Sequence, residues 1–147
     1  MDDWKQHLLE DDERIGALVR SARRVAVLGM KPEAKADQPG YYVARYVADH
    51  GGEVVPVPVF FPDLTEMMGR KVYRKVADVP GEVDIVDVFR KPTDIPAHLP
   101  DLLAKRPRAV WFQLGIRNDA AAETLARAGI DVVQDRCLKV EWGRHRG

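Results

Sequence analysis

Hydrophobic positions along this chain change their spacing several times, and each change marks an element. Between Asp12 and Ser21 the apolar residues Ile15, Leu18 and Val19 recur at helical spacing, and Asp11 or Asp12 can cap the start, so a helix is predicted. Residues 2 to 9 add a looser turn. Arg24-Val25-Ala26-Val27-Leu28-Gly29 is instead a continuous apolar run ending in glycine, the pattern of a strand buried on both faces of a parallel sheet. Residues 30–39 carry Lys31, Pro32, Lys35 and Pro39 and predict a long loop with no regular element. Helical spacing returns at Tyr42, Val43, Tyr46 and Val47, and Gly51-Gly52 stops it, giving a helix over about 40–50.

Glu53-Val54-Val55-Pro56-Val57 is a second β-branched run, and Pro56 and Pro58, which lack amide donors, favour a sheet edge or the strand's end there. A small strand is predicted at Lys71-Val72-Tyr73 and a clear buried one over 82–89, ended by Arg90-Lys91-Pro92. Residues 93–105 place Ile95, Leu99, Leu102 and Leu103 on one helical face, although Pro96 and Pro100 restrict where regular hydrogen bonding begins. A strand over 108–114 follows, then a helix capped by Asn118 and stopped by Gly129, a last strand over 130–133, and a terminal helix capped by Asp135. Strands alternating with helices of this length form right-handed βαβ units. The expected fold is α/β, a Rossmann-like three-layer sandwich with a mostly parallel sheet of five or six strands. It is expected to form one domain over 1–147, with 1–21 an amino-terminal helical extension.

Charge and composition narrow the function. Lys and Arg number 23 and Asp and Glu 23, so no global field attracts nucleic acid, and an anion must be caught locally. No apolar run approaches the roughly 20 residues of a membrane span. A single cysteine, Cys137, makes no internal disulfide, and Met1-Asp2-Asp3-Trp4 lacks a signal-peptide pattern, so a cytoplasmic setting is expected. His7, His50, His98 and His145 are scattered, and neither a metal site nor a catalytic set is expected.

In open α/β sheets ligands bind outside the carboxyl ends of the strands. Here those ends lead into Gly29-Met30-Lys31, the loop over 58–62, Arg90-Lys91-Pro92 and Gln113-Leu114-Gly115. Two of these exits are cationic, and the first approaches a helix amino terminus, so a phosphate-bearing ligand is expected. The dinucleotide fingerprint is not met: Gly29 stands alone in its turn, the next glycine is Gly40, and the second strand ends in Val57-Pro58-Val59 without an acidic residue.

Several ordered blocks together resemble the small stand-alone CoA-binding proteins, whose domain is similar to the CoA-binding part of succinyl-CoA synthetase alpha subunits. They are Val25-Ala26-Val27-Leu28-Gly29, Gly40-Tyr41-Tyr42-Val43 with Tyr46, Val54-Val55-Pro56-Val57, Val86-Asp87-Val88-Phe89-Arg90-Lys91-Pro92, and Val110-Trp111-Phe112-Gln113-Leu114-Gly115-Ile116. Ala128-Gly129-Ile130-Asp131-Val132-Val133 followed by Asp135-Arg136-Cys137 completes the set. The resemblance implies coenzyme A as ligand, with adenine and phosphates near the first two strand ends and the pantetheine arm crossing the sheet. It carries over Gly29, Met30, Lys31, Val57, Arg90, Lys91 and Pro92. Pro58 stands where this family often has asparagine, and Met30-Lys31 where it often has a small or hydroxyl residue, so Lys31 is expected to meet a phosphate as a point charge.

The remaining candidates come from the residues themselves. Tyr41 can flank an adenine or pack its helix, and Gln113 can face the crevice or cap a loop. Gly29 serves either phosphate approach or a tight strand exit, and Trp111 and Phe112 are expected to pack the sheet. Cys137, after Asp135-Arg136 at a predicted helix start, is either a reactive thiol or a small core residue. The expectation is CoA or acyl-CoA binding without catalysis. An NAD(P)-binding oxidoreductase subunit and a CoA-responsive regulatory or interaction protein stand as alternatives, and a homodimer is left open.

Overall fold

The computed structural model describes residues 3–146, so residue 2 of the expected amino-terminal turn and both ends of the expected 1–147 span lie outside the described residues. Its strands are β1 (Arg24–Leu28), β2 (Glu53–Val57), the two-residue β3 (Glu66–Met67) and β4 (Arg70–Lys71), β5 (Ile85–Val88), β6 (Ala109–Phe112) and β7 (Asp131–Val133). The helices are α1 (Asp12–Ser21), α2 (Pro39–Asp49), α3 (Leu99–Lys105), α4 (Asp119–Arg127) and α5 (Leu138–Arg146). Five strands form one parallel sheet in the order β2-β1-β5-β6-β7, with proline-bearing β2 at an edge.

Because successive side chains on a strand point to opposite faces, the buried runs feed two cores. On one face Val25, Val27, Ile85 and Trp111 pack against Ile15 and Leu18 of α1, Val43 and Val47 of α2, and Leu138 and Trp142 of α5. On the other, Ala26, Leu28, Val86, Val88 and Phe112 meet Leu102 of α3 and Ala121 and Leu125 of α4. This is the expected three-layer, Rossmann-like sandwich. No helix among the described residues is long and apolar enough to cross a membrane.

Local chemistry sets the departures from the sequence reading. The stretch expected to be a bare loop holds one 3-10 turn, Glu33–Lys35. The expected helix over 93–105 is a 3-10 segment, Pro92–His98, followed by α3, because Pro96 and Pro100 cannot donate to preceding turns. The small strand begins earlier than expected: β4 pairs with β3 around Met68-Gly69, both with positive φ (54° and 71°), as a two-residue hairpin turn requires. Asp135 does not cap the last helix. It has φ 58°, its Oδ1 accepts the Gly115 N–H at 2.7 Å, and α5 starts three residues later.

The amino-terminal segment is built into this fold. The Leu9 N–H donates to Val132 O at 2.8 Å beside β7, and Arg146 of α5 donates to the carbonyls of Val19 and Ala22 at 2.9 and 2.8 Å.

One core position breaks the apolar pattern. Asp87 of β5 lies between Val27 and Trp111 in register, is fully buried, and neither carboxylate oxygen has a hydrogen-bond partner. Burial pushes its pKa well above the ordinary carboxylate value. The folded state therefore holds this proton more tightly than the unfolded chain, and stability falls as pH rises from the unfolded carboxylate value toward the folded one. Asp87→Asn, which does not titrate, is expected to remove that slope. Urea unfolding at pH 5 and pH 8 checks this: wild type loses stability relative to the variant at the higher pH, whereas parallel losses contradict it.

Candidate functional site

The chain direction across the sheet reverses between β1 and β5. From β1 it passes through α2, on one face, to the edge strand β2; from β5 it passes through α3 and then α4, on the other face, to β6 and β7. Neighbouring strands whose connections leave to opposite faces open a crevice at their carboxyl ends. Gly29-Met30-Lys31 and Phe89-Arg90-Lys91 are the loops that leave β1 and β5 at that end.

Gly29 has φ 87° and donates its N–H to Val57 O at 2.9 Å, tying the β1 exit to β2. A Cβ there would lie 2.5 Å from the carbonyl oxygen of Phe89, so only glycine lets the two loops approach. The Lys31 N–H donates to Gly40 O at 3.1 Å, and Gly40 in turn leaves room for the Lys31 stem. Met30 is buried in the core, as are Val57 and Pro58, while Tyr41 is half-buried in the first turn of α2.

Two cations from different strand exits meet one aromatic ring. Lys31 Nζ lies 5.2 Å from the centroid of Phe60, and the Arg90 guanidinium carbon lies 5.5 Å from it. Phe60 itself is 54% exposed. Arg74 holds the loop that presents it, donating to the carbonyls of Phe60, Phe61 and Leu64 at 3.2, 2.8 and 2.8 Å. Phe61 takes φ 63°, a conformation that this clamp fixes. Arg90 is oriented from its own side: its Nε–H donates to His98 Nε2 at 3.1 Å, and Nη2 lies 3.6 Å from Asp94 Oδ2. Burial first, and the Arg90 charge second, hold the His98 pKa below the usual imidazole value. Lys91 is exposed beside it, and Pro92 accepts the Asn118 Nδ2–H at 2.9 Å, joining this loop to the start of α4.

Gln113 and Cys137 lie farther along the sheet. Gln113 is buried, and its Oε1 accepts the Leu138 N–H at 3.2 Å, so this amide caps α5 from the end of β6. Half-buried Cys137 immediately precedes α5, and its carbonyl accepts the Glu141 N–H at 3.0 Å. The neighbouring Arg136 guanidinium reaches Asp12 at 3.2 Å and the Glu10 carbonyl at 2.9 Å. Cys137 lines a cavity of about 530 Å³ at the carboxyl ends of β6 and β7, together with Arg136 and the exposed Leu114 and Val140.

The sequence reading brought Gly29, Lys31 and Arg90 to one place but missed Phe60, Arg74, His98 and the bridging role of Asn118. An aromatic doublet inside an otherwise polar exit loop was the available signal for Phe60. Arg74 and His98 act through the loops they touch, and no local pattern marks them.

Residues 23–143 match the family described as CoA binding domain. The chain belongs to that family. It is 29% identical over 126 residues to YneT of Bacillus subtilis (strain 168), covering 86% of this chain and 90% of that protein. A Thermus thermophilus structure, cell-free ID.343, is 39% identical with a TM-score of 0.84, covering 92% of this chain and 99% of the other. A Pyrococcus horikoshii protein is 31% identical with a TM-score of 0.82, covering 94% of each chain. The domain is also similar to part of a larger enzyme, the dinucleotide-forming acetyl-coenzyme A synthetase 1 of Ca. Korarchaeum cryptofilum in complex with phosphate and ADP. That likeness has 25% identity and a TM-score of 0.63 over 84% of this chain and 27% of the other.

The close approach at Gly29 yields a stability prediction for this CoA-binding domain. Gly29→Ala combines a left-handed backbone with a backbone clash and is expected to cost at least about 2 kcal/mol. A lowered urea midpoint at unchanged slope checks it. A midpoint equal to wild type would show that the turn relaxes freely.

Proposed function

We propose that this domain binds coenzyme A, free or acylated, in the crevice between the β1 and β5 exits, without a catalytic step of its own. The observation that carries the reading is the convergence of Lys31 and Arg90 on the exposed ring of Phe60 at the carboxyl ends of the central strands. Two cations there suit the phosphates of CoA, and the exposed ring and Tyr41 offer apolar faces to its adenine. Gly29 and Met30 contribute backbone, and Val57, Pro58, Lys91 and Pro92 shape the walls.

Each histidine has a structural partner: His7 the Asp131 carboxylate at 2.8 Å, His50 the Tyr46 carbonyl at 2.7 Å, His98 the Arg90 guanidinium at 3.1 Å and His145 the Glu141 carboxylate at 3.2 Å. This supports binding rather than general acid–base chemistry.

The cavity around Cys137 also lies at the carboxyl ends of the strands, beside β7, three strand spacings or about 14 Å from β1. We assign it the thiol end of the ligand. There the Cys137 thiolate attacks the sulfur–sulfur bond of oxidised CoA, joining one half to the protein as a mixed disulfide and releasing the other as a thiol.

A calorimetric titration of ligand-stripped protein with CoA, dephospho-CoA, NAD and NADP tests the site. CoA is expected to bind most tightly, and Lys31→Ala and Arg90→Ala each to weaken it about tenfold or more, the loss of one charge-assisted contact. Selective binding of NAD or NADP would assign the crevice to dinucleotides. For the thiol, intact-mass measurement under non-reducing conditions after incubation with oxidised CoA is expected to show a CoA adduct on wild type and none on Cys137→Ser. An unmodified wild-type protein contradicts the assignment.

A further inference from the structure

We propose that His98, in its neutral form, is a positioning residue that holds Arg90 in its anion-binding orientation, so that acidification through the titration of this one imidazole weakens ligand binding. The inference rests on the CoA reading of the crevice and adds a residue and a pH range to it.

The argument starts from the donor geometry. Arg90 is a donor at every nitrogen, so its contact with His98 Nε2 at 3.1 Å requires a lone pair on that nitrogen, which leaves the ring proton on Nδ1. The guanidinium is thereby fixed on three sides, by Phe60 against its face, Asp94 near Nη2 and His98 at Nε, and its side chain is only 17% exposed. Nη1 takes part in none of these contacts and is the nitrogen offered to a ligand oxygen. Protonation of His98 replaces the lone pair with an N–H facing another N–H, and sets two cations against each other in a half-buried site.

The charged groups around the imidazole are few. Arg90, on the β5 exit, disfavours its protonation; Asp94, on the same 3-10 segment, and Asp101, on α3, favour it. Both carboxylates already have other partners: Asp94 faces Arg90 at 3.6 Å, and Asp101 accepts the N–H groups of Val76 and Ala77 at 2.8 Å each. Burial and Arg90 outweigh them, so the ring stays neutral at neutral pH and charges only on acidification.

The experiment measures CoA affinity of the full chain from pH 5 to 8 for wild type, His98→Gln and His98→Leu. Gln retains an acceptor near the Nε2 position but does not titrate; Leu removes it. The ligand's own phosphate titration is common to all three and cancels in the comparison. Wild-type affinity is expected to fall with acidification about tenfold further than that of His98→Gln, while His98→Leu is already about tenfold weaker at pH 8 and shows the shallow slope of the Gln variant. A merely structural role would lower the melting temperatures of the variants and leave all three pH slopes alike, which overturns the proposal. Tight CoA binding with parallel slopes refutes the His98 role alone; no CoA binding by wild type at pH 8 refutes the CoA reading and this inference with it.

Discussion

A parallel sheet covered on both faces has no polar surface except at the ends of its strands, and this constraint organises the molecule. β1 and β5 are central strands whose side chains enter two separate cores, so their chemistry begins only where they stop. Because α2 covers one face and α3 the other, the chain leaves β1 and β5 toward opposite faces, the arrangement at which open α/β sheets take ligands. The two exit loops stay close only through glycine: at Gly29 the carbonyl of Phe89 occupies the space a side chain would need.

The loops around the crevice achieve with side chains what the sheet achieves with backbone ladders. Arg74 satisfies three loop carbonyls at once and so presents Phe60 to solvent. Arg90 is held by a ring, a carboxylate and an imidazole rather than left to sample rotamers. Ordering a long cationic side chain before a ligand arrives removes part of the entropy cost of binding. The exposed Phe60 ring with Lys31 and Arg90 beside it is the feature on which the proposed anion site rests.

How much of this was legible in the sequence depends on the range of the interaction. The parallel strands and most helices followed from local periodicity, and the missing amide donors at Pro56 and Pro58 left β2 an edge position or a strand end, of which the sheet order shows the edge. The Gly29, Lys31 and Arg90 exits followed from the rule that ligands gather at carboxyl ends. What escaped depends on partners distant in sequence. Gln113 caps a helix 25 residues away, and Asp135 serves Gly115 instead of its own helix. Met68 adopts a hairpin conformation that a methionine does not advertise. Asp87 read as one residue of a strand pattern, and only the packed fold shows that its carboxyl group has no partner.

Amide chemical-shift mapping during a CoA titration locates the ligand that we propose to lie across the exits of β1 and β5. Shifts are expected to concentrate at residues 29–31, 57–61 and 89–92, extending with saturation toward residues 134–140. Shifts confined to another face of the sheet, with those three loops unmoved, would contradict that placement.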